Sequence, residues 1–252
     1  MRDETFEHFF DEGLIEKVLL PLKQGKEASV HLCRANPRTT GEELAALKIY
    51  HPLDRRDFRD EGLYRDGEFI KERRIRAALE RKTAFGRQVQ GSIWVSREWE
   101  TLKKLWVVDA PVPRPIEGTD DAILMTYIGD VGVPAPRLQE YEHEDRDELE
   151  AIWDQLHRAI QHLLYRDIVH GDLSAYNVLV WDGELTLIDF PQAVDPKKNR
   201  HAHAFLERDL VRIGEWFEHR GFHRPWERLA KDLWTGWTFA DLVPEELRGL
   251  TI

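Results

Sequence analysis

Three polar residues of this 252-residue chain are spaced so that they could do chemistry together: Asp172, Asn177 and Asp189, within IVHGDLSAYNVLVWDGELTLIDF (168–190). Asp182-Gly183 separates two apolar runs, Val178 to Val180 and Leu185 to Ile188, and that dipeptide favours a tight hairpin turn. Closing the hairpin brings Asn177, just before the first strand, near Asp189, at the end of the second. An amide oxygen beside a carboxylate is a hard-oxygen pair of the sort Mg²⁺ takes when phosphate oxygens complete its shell. Asp172, on the loop upstream, is free to orient an incoming hydroxyl. The chemistry this set supports is phosphoryl transfer. Asp and Asn are also common turn formers beside hairpins. What lifts them above that reading is their order: HxDxxxxN, then one hairpin later an Asp after an apolar strand.

A phosphoryl-transfer site also needs a fixed cation. LAALKIY (44–50) is apolar and strand-like with Lys48 inside it, and an ammonium in a buried strand demands a partner. A lysine whose stem packs while its head reaches water is the alternative. Downstream, SIWVSREWETLKKLW places Trp94, Glu98, Leu102 and Leu105 at helical spacing on one stripe. Glu98 is therefore expected to face Lys48, holding it toward the α- and β-phosphates of a nucleotide. PLKQGKEASVHLC (21–33) reads as strand, turn, strand, with Gly25 permitting the backbone N–H groups to approach phosphate. There is no full GxGxxG and no Walker A motif.

The remaining elements position these groups. Residues 5–16 read as a short helix with Phe6, Phe9 and Phe10 on one side, ending near Gly13. PVPRPIE (111–117) is extended, and AILMTYI (122–128) is a buried strand. In a bilobal nucleotide-binding fold that strand exits into a hinge, where the backbone of Thr126 and Ile128 bonds an adenine edge with Met125 behind it. Residues 145–166 form the clearest helix, with Asp145 as N-cap and Leu149, Ile152, Trp153, Leu156, Ile160 and Leu163 on its apolar face. Phe205 through Phe217 has helical periodicity, and Asp209 on its inner face is expected to bond the His170–Asp172 loop. His201 and His203 lack a carboxylate or Cys at ligand spacing and read as surface or capping residues. PWERLAKDLWTGWTF and PEELRGL read as one or two further helices. Between Lys48 and Glu98 lies an Arg-rich insertion, about residues 52–92, interrupted by Gly62, Gly67, Gly86 and Gly91 and basic from Lys71 to Arg87. It reads first as a solvated amphipathic helix and second as a contact surface for an acidic partner or RNA.

Composition narrows the class. Nine Trp argue against extensive disorder. A net charge of -11 disfavours a general nucleic-acid coat, which needs a positive face, while leaving room for the local basic patch. The single Cys33 cannot form an internal disulfide, the N-terminus lacks a signal-peptide core, and no apolar run approaches membrane-spanning length. A cytoplasmic protein without a membrane partner is expected.

These residues, in this order, resemble the RIO family of atypical serine/threonine protein kinases. The resemblance rests on GKEASV, ALKIY, WVSRE, ILMTYIG, PAPRL, HGDLSAYN and LIDF, and spans roughly residues 15–220. It implies an α+β, bilobal protein-kinase-like fold of reduced type: a twisted antiparallel sheet plus helices in an N-lobe (1–127), a mainly helical C-lobe (128–252), and no long activation segment. It implies ATP and Mg²⁺ as cofactors, with Mn²⁺ as a substitute. By resemblance, Gly25, Lys26, Ala28, Ser29 and Val30 cover the phosphates, and Leu179 and Ile188 join Met125, Thr126 and Ile128 around the base. Lys48, Glu98, Asp172 and Asp189 are the catalytic set, and Asn177 and Asp189 the metal ligands. Gly171 replaces the Arg of the usual HRD loop, so activation through a phosphorylated loop has no evident receptor. The family also implies transient phosphorylation of the metal Asp, here Asp189, and action as an ATPase switch in small-subunit ribosome maturation. The family implies a protein phosphoacceptor of unknown identity, with this chain itself as one candidate. Neither a winged helix in front nor a long basic tail behind is seen, so a ribosomal partner follows less directly than ATP chemistry.

Two other readings share parts of the pattern. Aminoglycoside or choline phosphotransferases also carry HGDLxxxN and IDF, but the Lys26-Glu27 turn, the Arg-rich insertion and the short C-terminal part depart from them. A nucleotide-gated assembly factor, acting by binding and release, is favoured by the basic insertion and disfavoured by the acidic total.

Overall fold

Strand-forming runs separated by turn residues build one antiparallel sheet near the start of the chain. The computed structural model describes residues 4–51, 84–143 and 145–239. Two units divide them: 4–51, 84–100 and 113–134 in the first, 101–112, 135–143 and 145–239 in the second.

In the first unit, helix α1 (Glu4–Asp11) ends at Gly13, whose φ of +65° turns the chain. The sheet follows, from β1 (Ile15–Gln24), β2 (Ala28–Ala35), β3 (Leu44–Tyr50), β4 (Pro115–Gly118) and β5 (Ala122–Thr126), in the order β1-β2-β3-β5-β4 with every pairing antiparallel. Pro21 is tolerated because β1 is an edge strand, and three register shifts bend it. A one-turn helix, α2 (Pro37–Thr40), joins β2 to β3. Period-two alternation sorts the side chains of β3. Ala45, Leu47 and Ile49 share a core with Phe9, Ile15, Cys33 and Leu124, with Phe6 and Phe10 packed against it. Lys48 therefore points to the other face. Burial pushes the Cys33 thiol up to about 12, leaving it an inert core residue.

Helix α3 (Ala84–Trp106) carries Glu98. It runs through residues 84–92, the end of the insertion, where a helix is the first reading. Gly86 and Gly91 each cost a helix only about 1 kcal/mol relative to Ala, and the helix continues through both. Residues 52–83, with most of the insertion, lie outside the described residues. Close packing of α3 on the sheet is visible at Gly118, where a Cβ would come within 2.9 Å of the Trp99 ring. A two-residue pair of strands, β6 (Gly129–Asp130) and β7 (Val133–Pro134), follows β5.

The second unit is mainly helical. Asp145 caps α4 (Arg146–Tyr165) by accepting the Glu148 N–H at 3.0 Å, and the whole expected apolar face is buried. The hairpin of β8 (Val178–Trp181) and β9 (Glu184–Leu187) turns through Asp182 and Gly183 at φ +50° and +78°. Positive φ at both central positions is the primed turn that matches strand twist. Helix α5 (Ala202–Glu218) packs on α6 (Trp226–Thr238) so closely that a Cβ on Gly214 would meet the Trp226 ring at 2.5 Å. His203 lies against Trp234, with ring centroids 5.0 Å apart. PEELRGL falls outside the described residues. Only residues 190–201 separate Asp189 from α5, so there is no long activation segment. The fold is α+β and protein-kinase-like. Among the described residues, no helix is long and apolar enough to cross a membrane.

Candidate functional site

Each unit holds its own cluster of chemistry-bearing residues. In the first, β3 lies between β2 and β5, with Lys48 opposite Val30 on one side and Ile123 on the other. Its Nζ donates to Glu98 Oε1 at 2.9 Å and Oε2 at 2.8 Å. Lys48 is 8% exposed and Glu98 1%. Trp94, Val95, Leu102 and Leu105 are buried with Glu98, as the helical stripe requires. Desolvating both charges is repaid only by such close two-oxygen pairing.

The turn between β1 and β2 is closed by the Gly25 N–H donating to Ala28 O at 2.9 Å. A Cβ at Gly25 would press on that carbonyl at 3.2 Å, which explains the glycine. Lys26 is exposed, Ala28 and Val30 are half-buried, and buried Ser29 keeps its hydroxyl 3.1 Å from His31 Nε2. At the end of β5, Met125 is buried while Thr126 and Ile128 are half-buried. The Thr126 N–H donates to Arg114 O at 2.9 Å.

In the second unit the hairpin does what its turn implies. Ile188 N–H donates to Asn177 O at 3.0 Å, which sets Asn177 beside the residue preceding Asp189. Asn177 Nδ2 donates to Asp172 O at 2.9 Å, so its Oδ1 is the atom left for a cation. Asp189 sits at φ +74°, a left-handed conformation that Asp tolerates better than most residues and that aims its side chain locally. Leu179 and Ile188 are half-buried on and beside the hairpin. The donor set, an amide oxygen and a carboxylate, fits Mg²⁺.

The loop carrying Asp172 is anchored from two directions. His170 is buried, tilted against Phe190 with ring centroids 4.8 Å apart. Its Nδ1 receives the Asp172 N–H at 3.3 Å, and Nε2 lies 3.2 Å from Ile188 O. Burial lowers its pKa, so the ring is neutral and the Nε2–H tautomer satisfies both contacts. From α5, the Asp209 Oδ2 accepts the Gly171 N–H at 2.8 Å, which is the bond expected of that residue. Burial raises Asp209 to about 7, against the opposing pull of Arg208 and the Gly171 N–H. Gly171 itself lies at φ +80°, where a side chain would be strained.

Two residues, Arg212 and Gln155, escaped sequence reasoning. Arg212 Nη1 donates to Asp172 Oδ1 at 2.8 Å. Gln155 on α4 donates to Gly183 O at 2.7 Å and accepts the Leu185 N–H at 2.9 Å, clasping the hairpin.

A lysine locked to a helix glutamate on an antiparallel sheet, and an Asp–Asn–Asp corner on a hairpin, define a protein of the protein-kinase-like class. Comparison with known proteins narrows the class. The family model of the RIO domain matches residues 32–229. The serine/threonine-protein kinase RIO1 of Chaetomium thermophilum is 28% identical over 223 residues, covering 85% of this chain and 42% of that protein. The RIO-type serine/threonine-protein kinase Rio1 of Thermoplasma acidophilum is 36% identical over 139 residues, covering 55% and 71% respectively. Among solved structures, the Rio2 kinase-ADP/Mg²⁺-phosphoaspartate complex from Chaetomium thermophilum superposes with a TM-score of 0.66 at 18% identity, covering 96% of this chain and 71% of that one. The chain belongs to the RIO family. It spans less than half the length of the Chaetomium RIO1 that it matches.

Proposed function

We propose that this protein is an ATP- and Mg²⁺-dependent phosphoryl-transfer enzyme, a RIO-type serine/threonine protein kinase. The observation that carries the proposal is the buried Lys48–Glu98 pair. Stability alone does not call for it, because apolar residues of similar volume often serve a core as well or better. A cation held rigid by a carboxylate serves to orient nucleotide phosphates.

On this reading Lys48, held by Glu98, orients the α- and β-phosphates, and the backbone of Gly25 to Val30 covers them. Met125, Thr126, Ile128, Leu179 and Ile188 contact the base. Asn177 Oδ1 and the Asp189 carboxylate hold Mg²⁺, which when bound offsets charge on the phosphate oxygens. Asp172 aligns the acceptor hydroxyl. The acceptor oxygen bonds to the γ-phosphorus as the bond to the β-phosphate oxygen breaks, and the hydroxyl proton passes to Asp172 late in the step. A labelled-ATP transfer assay tests these roles. Asp172→Ala should bind nucleotide and lose transfer, while Lys48→Ala and Asp189→Ala should also weaken nucleotide binding. Full turnover by Asp172→Ala would remove its assigned role.

A second reading is favoured by one observation, the phosphoaspartate of the Rio2 complex. On it, Asp189 accepts the γ-phosphoryl group itself, ADP leaves, and water later hydrolyses the acyl phosphate, making the chain an ATPase switch. A hydroxylamine-labile phosphate that is absent from Asp189→Asn supports it. Association with a ribosomal particle rests on the basic stretch 71–87, and co-sedimentation with ribosomal subunits, with and without ATP, tests it.

A further inference from the structure

One helix, α5, makes three contacts with the loop His170–Asp172. Arg208 Nη2 donates to Gly171 O, and Asp209 Oδ2 accepts the Gly171 N–H. Together they hold the loop backbone at its left-handed glycine. The third contact has a different target: Arg212 Nη1 donates to Oδ1 of the Asp172 side chain at 2.8 Å. No relation of Arg212 to phosphate or metal is needed to explain it, since the carboxylate is its partner.

We propose that Arg212 is a positioning residue for phosphoryl transfer: it holds one oxygen of Asp172 so that the other is presented to the acceptor hydroxyl. The proposal rests on the role given to Asp172 above. A carboxylate has two equivalent oxygens and a broad, two-fold terminal torsion, so without a tether either oxygen can face the acceptor at many angles. Among the described residues, the other contact to this carboxylate, Asn177 Nδ2 to Oδ2, is 3.5 Å, at the limit of a hydrogen bond and too long to fix it. Arg212 is thus the group that defines the carboxylate plane. The contact does not block the site, because it takes one oxygen and leaves the Asp172 side chain 38% exposed. Nor is it a fold-holding bridge: both partners are well exposed, and such pairs contribute little to stability.

The test is steady-state transfer from ATP by the full chain, to itself or to a generic serine-containing protein acceptor, for wild type, Arg212→Ala, Arg212→Lys and Asp172→Ala. Arg212→Ala should lower kcat by roughly 10- to 100-fold, the scale of a small misplacement of a reacting group, with KM for ATP and fluorescent-nucleotide binding within about twofold of wild type. Arg212→Lys, which can still give one N–H to Oδ1, should recover most of the loss. Thermal melts of both Arg212 variants should match wild type, which separates positioning from folding. Undiminished or raised kcat in Arg212→Ala, with Asp172→Ala inactive, overturns this proposal alone. Transfer by Asp172→Ala at the wild-type rate overturns the reading of Asp172 and this proposal with it.

Discussion

The two clusters are held by opposite means. Lys48 and Glu98 are nearly inaccessible and bond to each other through both carboxylate oxygens, so the order of each depends on its partner. Asp172 and Asn177 are held differently. Asn177 is tied through the Asp172 carbonyl and the Ile188 N–H, and the Asp172 loop through His170 and Asp209, mainly by backbone groups. A buried charge pair makes a rigid cation at the cost of making the fold depend on it. Backbone tethering leaves the Asp172 side chain 38% exposed, and such an exposed group matters little to stability. The two regions should therefore respond to substitution in opposite ways.

Breaking the buried pair is expected to have the largest effect on the fold. Glu98→Ala removes the carboxylate that pairs with buried Lys48 and should cost about 3–5 kcal/mol. For a chain of this size that lowers Tm by roughly 10 °C or more. Replacing both partners, as in Lys48→Met with Glu98→Leu, should bring the melt back toward wild type while transfer stays absent. A Glu98→Ala melt at the wild-type temperature would show that the pair is not desolvated, and the contrast between the clusters would vanish.

How far this contrast could be read from the chain depends on what each contact left in the pattern. Glu98 was visible because a carboxylate stood on a stripe otherwise made of Trp94, Leu102 and Leu105. Asn177 and Asp189 were visible because Asp182-Gly183 dictates a turn, and a turn dictates which strand ends meet. Arg212 and Gln155 left no such mark. A polar residue on an amphipathic helix is normally solvated, and only three-dimensional docking turns it toward a loop. The left-handed φ of Asp189 was hidden for a related reason, since Asp adopts it locally without altering hydrophobic periodicity. At Gly86 and Gly91 the helix reading of the insertion's end holds, and a helix continues through both.

Asp209 lies between the two regimes, a buried acid whose role is to hold backbone. Burial moves its pKa from the ordinary 3.8 to about 7. The unfolded chain therefore ionises Asp209 near pH 4 while the folded chain resists until about pH 7. The stability this group contributes is fully present below pH 4, falls as pH rises through 4 to 7, and is then flat. Asn at 209 keeps an oxygen for the Gly171 N–H but cannot ionise. Relative to wild type, Asp209→Asn should gain on the order of a few kcal/mol between pH 4 and pH 8 in denaturant titrations. Neutral, buried His170 has the opposite dependence, losing stability as pH falls below about 6.5, but it is common to both proteins and cancels. A difference that does not change with pH would mean that Asp209 is ionised in the fold throughout.

A smaller effect is expected at the hairpin clasp. Gln155→Ala removes one donated and one accepted bond to β9 and its turn, worth about 1–2 kcal/mol together. Because the hairpin sets where Asn177 and Asp189 meet, this variant should also weaken Mg²⁺-dependent nucleotide binding more than nucleotide binding in EDTA. Equal loss in both conditions would detach the clasp from the metal corner.

The smallest effect on the fold belongs to the residue with the largest proposed effect on function. Asp172 shares one exposed ion pair with Arg212, and such pairs contribute about 0–1 kcal/mol. Its backbone, which carries the bonds to His170 and Asn177, survives substitution. Asp172→Ala should therefore unfold within about 1 kcal/mol of wild type while transferring no phosphate, the inverse of Lys48→Met with Glu98→Leu only in that it needs no second change to stay folded. If Asp172→Ala instead melted as early as Glu98→Ala, the acidic corner would be a structural element like the buried pair, and its openness would have to serve something other than an incoming acceptor.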